Sequence, residues 1–416
     1  MIRKGEIFYA WSTDPELRDK GSSGGFISGL LTHLLSTGIV DAVSVTKKGA
    51  DIYDASMVIL TDPAEIAQCS GSLYCGTLSS AKYLYRYTQS NPGQRIAAVV
   101  KGCEAKAIIE LAKRNRVNLN DILLIGLTCS GTINPITARK MIVDRYGIDP
   151  DIVENIYFSH GKCQVETSDT IFSLPIEDLE QDGYGRRLCC QRCQTRIPRQ
   201  CDLVCGDWGV IGEYSGNTTC IEVCSKKGAI TLESAINDHA IVVEAADPQG
   251  VEIRSRVEEA MQKLSLENGK EQFSNIPPGD QLLKSMMLDM SRCIKCYQCT
   301  EACPLCVCED CRTKKPWLVK PGQVPPPFMF HLIRASHIAD SCINCGQCEE
   351  RCPMEIPNSL YMHALQSELE QMFGYKAGEL PGMPVVAKVN EWEEWEHNYG
   401  NTFEKVIEVF RDQGEY

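Results

Sequence analysis

Two cysteine runs of identical spacing constrain this chain more than any other feature. Cys293-x-x-Cys296-x-x-Cys299-x-x-x-Cys303-Pro304 is followed by Cys342-x-x-Cys345-x-x-Cys348-x-x-x-Cys352-Pro353. Each run has the bacterial ferredoxin spacing, in which the fourth cysteine ligates the other cluster of a two-cluster domain. A tight turn lets two thiolates separated by two residues each face one iron corner of a cubane. The proline after the fourth cysteine then turns the chain away from the cluster. These eight cysteines are expected to hold two [4Fe-4S] clusters, so the chain is expected to move electrons.

The bulk numbers agree with that reading and exclude others. At 416 residues the chain is too long for one core and should hold two or three domains. A formal charge of −13 without a dense Lys/Arg block argues against a nucleic-acid surface. No stretch reaches the roughly 18 to 20 apolar residues needed to span a bilayer, and Met1 to Gly5 leads into no apolar signal region. An odd cysteine count, 23, then reads as metal ligation in a reducing cytoplasm rather than as a disulfide framework.

Residues 1–265 read as one α/β domain. Ile27, Leu30, Leu31, Leu34 and Leu35 form a helical stripe within residues 24–36. Residues 40–45, 55–60, 95–100 and 122–127 are strand-like, and a helix over 104–116 joins the last two as a βαβ unit. Residues 266–284, with Asn268, Gly269, Pro277, Pro278 and Gly279, are the expected linker. A small α+β ferredoxin-like domain is expected at 285–360, interrupted by an insertion containing Pro316, Pro321 and Pro325 to Pro327. A helical extension should follow over 361–416: a helix at 360–373, then Trp392, Trp395 and a tail with Phe403, Val406, Ile407 and Phe410 at helical spacing.

A third cysteine set lies in the first domain. Cys103 follows one strand and opens a helix, and Cys129 follows the next strand. A right-handed crossover places both strand ends on one sheet edge, where open α/β sheets bind ligands, and helix N-terminal amides favour the thiolate. Cys190 and Cys193 add a CxxC pair, giving four thiols, enough for one cubane. Spacing alone leaves two alternatives open: buried small hydrophobes at 103 and 129, and zinc or no metal at 190 and 193.

Taken in order, several motifs resemble the beta subunit family of coenzyme F420-reducing hydrogenase. They are Gly21-Ser22-Ser23-Gly24-Gly25, Gly71-Ser72-Leu73-Tyr74, Lys101-Gly102-Cys103-Glu104, Cys129-Ser130-Gly131, the Cys190/Cys193 pair and Cys205-Gly206-Asp207-Trp208-Gly209. A ferredoxin-like unit placed after that domain is similar to the formate dehydrogenase branch of methanogens. The resemblance covers most of residues 5–360. It implies FAD and one [4Fe-4S] cluster in the first domain, the latter on Cys103, Cys129, Cys190 and Cys193. Cys189 beside Cys190 could replace it, and Cys201 and Cys205 lie close enough in sequence to compete.

Clusters pass single electrons and a deazaflavin accepts a hydride, so a flavin is needed between them. Glycine-rich turns ahead of helices hold phosphates on exposed amides. Gly21, Ser22, Ser23, Gly24 and Gly25 fit that description, and Ser70, Gly71 and Ser72 do so less clearly; neither is a GxGxxG or Walker loop. Asp207 and Trp208 are candidates for the ring pocket. No side chain is expected to act as catalytic acid or base, because hydride transfer between stacked rings mainly needs positioning.

The expectation is thus an oxidoreductase beta subunit with three [4Fe-4S] clusters and FAD, using coenzyme F420 as substrate. Electrons would come from a formate dehydrogenase catalytic subunit bearing a molybdenum or tungsten pterin, since no such domain is present here. The alternatives are an electron-transfer adaptor in a larger, bifurcating complex, a hydrogenase beta subunit, and a zinc-bearing interaction module. Cys306, Cys308 and Cys311, crowded after Cys303, are not expected to hold a further cluster.

Overall fold

The computed structural model of the protein describes residues 1–76, 79–277 and 280–385. The chain begins with strand β1 (Ile7–Ser12), helices α1 (Pro15–Lys20) and α2 (Phe26–Ser36), and strands β2 (Ala42–Lys48) and β3 (Ala55–Leu60). Next come α3 (Ser80–Ser90), β4 (Ile96–Lys101), α4 (Gly102–Lys113), β5 (Ile122–Leu127) and α5 (Pro135–Met141). Strands β6 (Val153–Ser159), β7 (Lys162–Thr167) and β8 (Ile171–Pro175) precede α6 (Ile176–Gln181) and α7 (Leu188–Gln191). The domain closes with β9 (Leu203–Gly206), β10 (Thr219–Val223), α8 (Lys226–Asn237), β11 (Ile241–Ala245) and α9 (Pro248–Ser274).

Eight strands form one mixed sheet in the order β11-β1-β10-β9-β5-β4-β2-β3, whose centre β2-β4-β5-β9 is parallel. Side chains there alternate between two cores. Ile96, Ala98, Val100, Ile122 and Leu124 meet α3 and α4 on one face, and Ala97, Leu123 and Ile125 meet α2 and α8 on the other. Strands covered on both faces are apolar throughout, which is why these segments read as strands. The parallel arrangement carries the C-terminal ends of β4 and β5 to one edge, so Cys103 and Cys129 share it.

The antiparallel sheet β6-β7-β8 was not anticipated. It buries one face only, with Ile156, Cys163 and Val165 inward beside Ala138, Met141 and Leu179 of the neighbouring helices. Lys162, Gln164 and Glu166 alternate with the inward residues, and that polar row hid the strand.

The expected linker is a correction. Helix α9 runs unbroken to Ser274, through Asn268 and Gly269. Its inward stripe is polar: Ser265, Asn268 and Gln272 hydrogen-bond to Arg196, Gln191 and Arg192. Apolar periodicity could not reveal a helix that buries amides and hydroxyls.

The second unit holds α10 (Asp280–Met290), α11 (Gln298–Ala302), α12 (Phe328–Ile338), α13 (Gln347–Glu350) and α14 (Asn358–Phe373). No strand occurs among its described residues, so the α+β expectation gives way to a helical one. The cysteine loops fold back through left-handed residues at matching places, Lys295 and Tyr297 in one run and Asn344 and Gly346 in the other. Such turns curl the chain around a point instead of extending it into a ladder.

This unit shares a core with the first domain: Cys303, Leu305, Ala335, Ile338, Ile343 and Met362 join the α3/α4 cluster. A polar clasp closes the junction. Buried Glu110 accepts from Lys113 Nζ at 2.9 Å, Tyr375 Oη at 2.6 Å and the Gly378 amide at 2.7 Å. The tail helix expected around Phe403 to Phe410, with Trp392 and Trp395, lies outside the described residues.

Candidate functional site

The eight C-terminal cysteines sort into two rings, each of which draws its fourth member from the other run. Cys293, Cys296, Cys299 and Cys352 line one cavity. Cys303, Cys342, Cys345 and Cys348 line a second. The left-handed turns bring backbone amides in among the thiols, as where Lys295 N donates to Cys293 Sγ at 3.3 Å. Burial pushes the Cys342 thiol up to about 12 and the Cys348 thiol up to about 11. Cys348 is within electrostatic reach of Cys303 in its own ring and of Cys299 in the other, so the rings are neighbours.

The third set converges as well. Cys103 is the second residue of α4, Cys129 follows β5, Cys190 lies in α7, and Cys193 just beyond it. Cys103 feels the charges of Cys193 and Cys129, and Cys129 those of Cys190 and Cys193. Gly131 permits the approach: at φ +127°, it leaves so little room that an added Cβ would stand 3.2 Å from Cys190 Cβ and 2.8 Å from Arg186 Cδ.

Buried Arg196 stitches the loops, donating from Nη1 to Ser130 O at 3.0 Å and from Nη2 to Cys190 O at 2.7 Å and Ser265 Oγ at 2.8 Å. Burial, reinforced by Glu104, raises the Cys103 thiol despite its place at a helix N-terminus. Burial likewise pushes Cys129 up to about 11. At Cys103 desolvation outweighs the helix amides expected to lower it.

Cys189 lies between this set and the second ring, and its thiol donates to that of Cys190. A Cβ added at Gly346, next to Cys345, would come within 3.0 Å of Cys189 Cβ, and Asn344 Nδ2 donates to Cys189 O at 3.1 Å. Cys201 and Cys205 are buried in the two sheet cores.

The same sheet edge opens onto a cavity of about 540 Å³, within the usual range for cofactor sites. Gly21, Ser22, Ser23 and Gly25 line it from the turn before α2, and Ser70, Gly71 and Ser72 line it from the turn after β3. Ser28 Oγ, in the first turn of helix α2, and Ser70 Oγ, 2.8 Å apart, tie that helix to the second turn. Gly24 is not among the lining residues; its carbonyl accepts from Ser12 N at 2.8 Å. Gly25 caps α2 in the left-handed region, where an added Cβ would collide with Leu17 O at 2.2 Å.

Cys129 and Thr128 form part of the cavity wall, so the third thiol set and the cavity share a boundary. Lys101 also reaches the cavity, with Nζ 3.2 Å from Glu104 Oε2. Glu104 in turn accepts from the Lys101 amide and, at 2.8 Å, from Ser80 N, fixing the head of α4.

Several lining residues were not legible beforehand. Glu154, Asn155, Ile156 and Glu166 come from the unforeseen β6-β7 hairpin, and Cys69 and Cys75 from the 63–76 segment. Asp207 and Trp208 do not line the cavity. Asp207 lies within electrostatic reach of Tyr74, which does line it, while Trp208 packs on the α3/α4 core. Among the described residues, no three His, Cys, Asp or Glu side chains gather closely enough for a single metal ion; the thiol rings surround cavities instead.

Comparison with known proteins follows the same division of the chain. Residues 7–84 match the family model for Coenzyme F420 hydrogenase/dehydrogenase, beta subunit N-term, and residues 93–249 the model for its C terminus. Residues 289–356 match a 4Fe-4S dicluster domain. The chain is 40% identical to the F420-dependent formate dehydrogenase 1 subunit beta of Methanococcus maripaludis, covering 90% of this chain and 95% of that one. It is 37% identical to the F420-dependent formate dehydrogenase subunit beta of Methanocaldococcus jannaschii, covering 91% and 98%. In fold it resembles a chain of the F420-reducing [NiFe] hydrogenase complex from Methanosarcina barkeri, with TM-score 0.55 and 17% identity, covering 66% of this chain and 96% of that one.

Proposed function

The chain belongs to the coenzyme F420 hydrogenase/dehydrogenase beta subunit family, and from that footing we propose that it is the beta subunit of an F420-dependent formate dehydrogenase. It would carry electrons between a formate-oxidising catalytic subunit and coenzyme F420 through three [4Fe-4S] sites and FAD. One observation carries this reading: the three thiol sets and the cavity are contiguous, with Cys299 near Cys348, Cys345 near Cys103, and Cys129 in the cavity wall.

The donor sets fit the groups assigned to them. Each of the three sites offers four soft sulfur donors. Burial raises the thiols of Cys103, Cys129, Cys342, Cys345 and Cys348, which ionise only beside a compensating cation such as iron, whereas a hydrogen bond from the neighbouring thiol lowers Cys190 and Cys303. Cys293, Cys296, Cys299 and Cys352 would hold the first cluster, and Cys303, Cys342, Cys345 and Cys348 the second. Cys103, Cys129, Cys190 and Cys193 would hold the third, with Arg196 fixing their loops.

The cavity fits FAD in size and lining. The amides and hydroxyls of Gly21, Ser22, Ser23, Gly25, Ser70, Gly71 and Ser72 are the groups to receive its pyrophosphate. When bound, FAD supplies the exchange between single electrons and a hydride, which F420 accepts. The chain's own part would be to seal the sites from water, set their spacing and hold the flavin in the cavity that Cys129 helps to wall. Formate oxidation itself would occur on a pterin-bearing partner, within a complex that could include further electron-transfer subunits.

The test is F420 reduction by anaerobically purified holoprotein given a low-potential donor, with native co-purification of its largest partner. F420 turnover and a pterin-bearing partner are expected. Bound flavin without F420 turnover would replace this reading with that of an electron-transfer adaptor.

A further inference from the structure

The insertion that interrupts the two cysteine runs contributes helix α12, and that helix turns two buried polar side chains toward the thiol rings. His331 lines the first cavity and has an unpartnered Nε2; Arg334, on the next turn, lines the second and has an unpartnered Nε.

Arg334 is 4% exposed and forms no ion pair with any carboxylate among the described residues. Other buried arginines differ: Arg186, Arg187 and Arg254 are paired with Glu180, Glu350 and Glu222, while Arg192 and Arg196, also without a carboxylate partner among the described residues, make short hydrogen bonds, down to 2.6 Å from Arg192 to Gln272 and 2.7 Å from Arg196 to Cys190 O. The hydrogen bonds of Arg334 are long, from Nη2 to Cys299 O at 3.3 Å and from Nη1 to Asn358 Oδ1 at 3.4 Å. The groups that favour its charge are thiols of both rings, Cys348, Cys299 and Cys303, together with Cys306. A desolvated guanidinium needs a negative partner close by. Two thiolate-ligated cubanes, each carrying a net charge of about −2, would supply one on either side.

We propose that Arg334 is the shared counter-cation of the two ferredoxin-type sites, held between them by the insertion helix, and that its charge raises the reduction potential of both. The inference rests on the reading of the two rings as cluster sites. Reduction adds negative charge to a cluster, so a fixed cation in a low-dielectric setting makes that step easier.

Wild-type, R334Q and R334K holoproteins, purified anaerobically, are assayed for iron and titrated with EPR detection. Iron in the wild type at about twelve per chain tests the cluster reading independently of the arginine. In R334Q at full iron, both ferredoxin-type signals should move to lower potential while the third signal stays in place, and R334K should lie near wild type. Loss of the two clusters in R334Q, with R334K intact at wild-type potentials, would support the same role for charge. Unmoved potentials in R334Q at full iron, R334K displaced as far as R334Q, or loss of clusters in both variants would overturn it.

Discussion

Cys345, in the second cysteine run, lies within electrostatic reach of Cys103 at the head of α4 in the other domain. Burial raises the Cys345 thiol, and the charges acting on it next are those of Cys303, Cys103 and Cys348. Residues 187–192 wall this junction: Arg187 Nη2 donates to Cys345 O at 3.0 Å, and Arg192 donates to Asn344, Gln272 and Ser359. The junction therefore brings the third thiol set alongside the second ring. It is where electrons would leave the ferredoxin-type unit.

Neighbouring cysteines at this junction should behave differently. C190S/C193S is expected to lose about four irons of about twelve and all F420 reduction, while the two ferredoxin-type EPR signals persist. C189S should keep its full iron, because Cys103, Cys129, Cys190 and Cys193 already supply four sulfurs and a serine at 189 can still donate to Cys190. Iron analysis of the two variants side by side checks this, and equal losses would contradict it.

The hydrogen bond between Ser28 and Ser70 joins the start of helix α2 to the 70–72 turn, both of which line the cavity. Removing it in S28A or S70A should weaken flavin retention by about 1 kcal/mol, roughly fivefold in dissociation constant. Iron content should not change. Flavin release measured by fluorescence on dilution is the readout.

Glu110 is wholly buried and is shared by Lys113, Tyr375 and Gly378. E110A strands the Lys113 ammonium and frees the 375–378 segment, at a cost of about 3 kcal/mol. Denaturant unfolding should show that loss, and limited proteolysis should cut near Tyr375 earlier than in wild type.

Acid should loosen the same junction. Burial, with help from Arg192 and Lys106, lowers the His363 pKa to about 3, and Arg192 Nε donates to its Nδ1 at 3.3 Å. The unfolded chain takes up this proton near pH 6.5. The histidine's contribution is therefore complete above about pH 6.5 and falls as pH drops toward 3, by on the order of 1 kcal/mol per unit. Melting temperatures at pH 5.5 and 7.5 should differ less in H363Q than in wild type.

Parts of this architecture were legible because their chemistry leaves a one-dimensional trace. The strands carrying Ile96 to Lys101 and Ile122 to Leu127 are covered on both faces, so they are apolar runs. The cysteine runs report a cubane because the spacing of Cys293, Cys296 and Cys299 must match its corners. The last turns of helix α9, residues 266–274, read as linker because the side chains they bury, Asn268 and Gln272, are polar. Glu154 and Glu166 were missed as cavity wall because a one-sided hairpin sheet with a polar row resembles a loop. Arg334 carried no signal at all: its meaning comes from lying between two rings that only the fold brings together.

Iron, acid-labile sulfide and flavin measured per chain on anaerobically purified holoprotein test the account most directly. It predicts about twelve irons with equal sulfide and one FAD. Eight irons with no flavin, or zinc in place of iron, would contradict it.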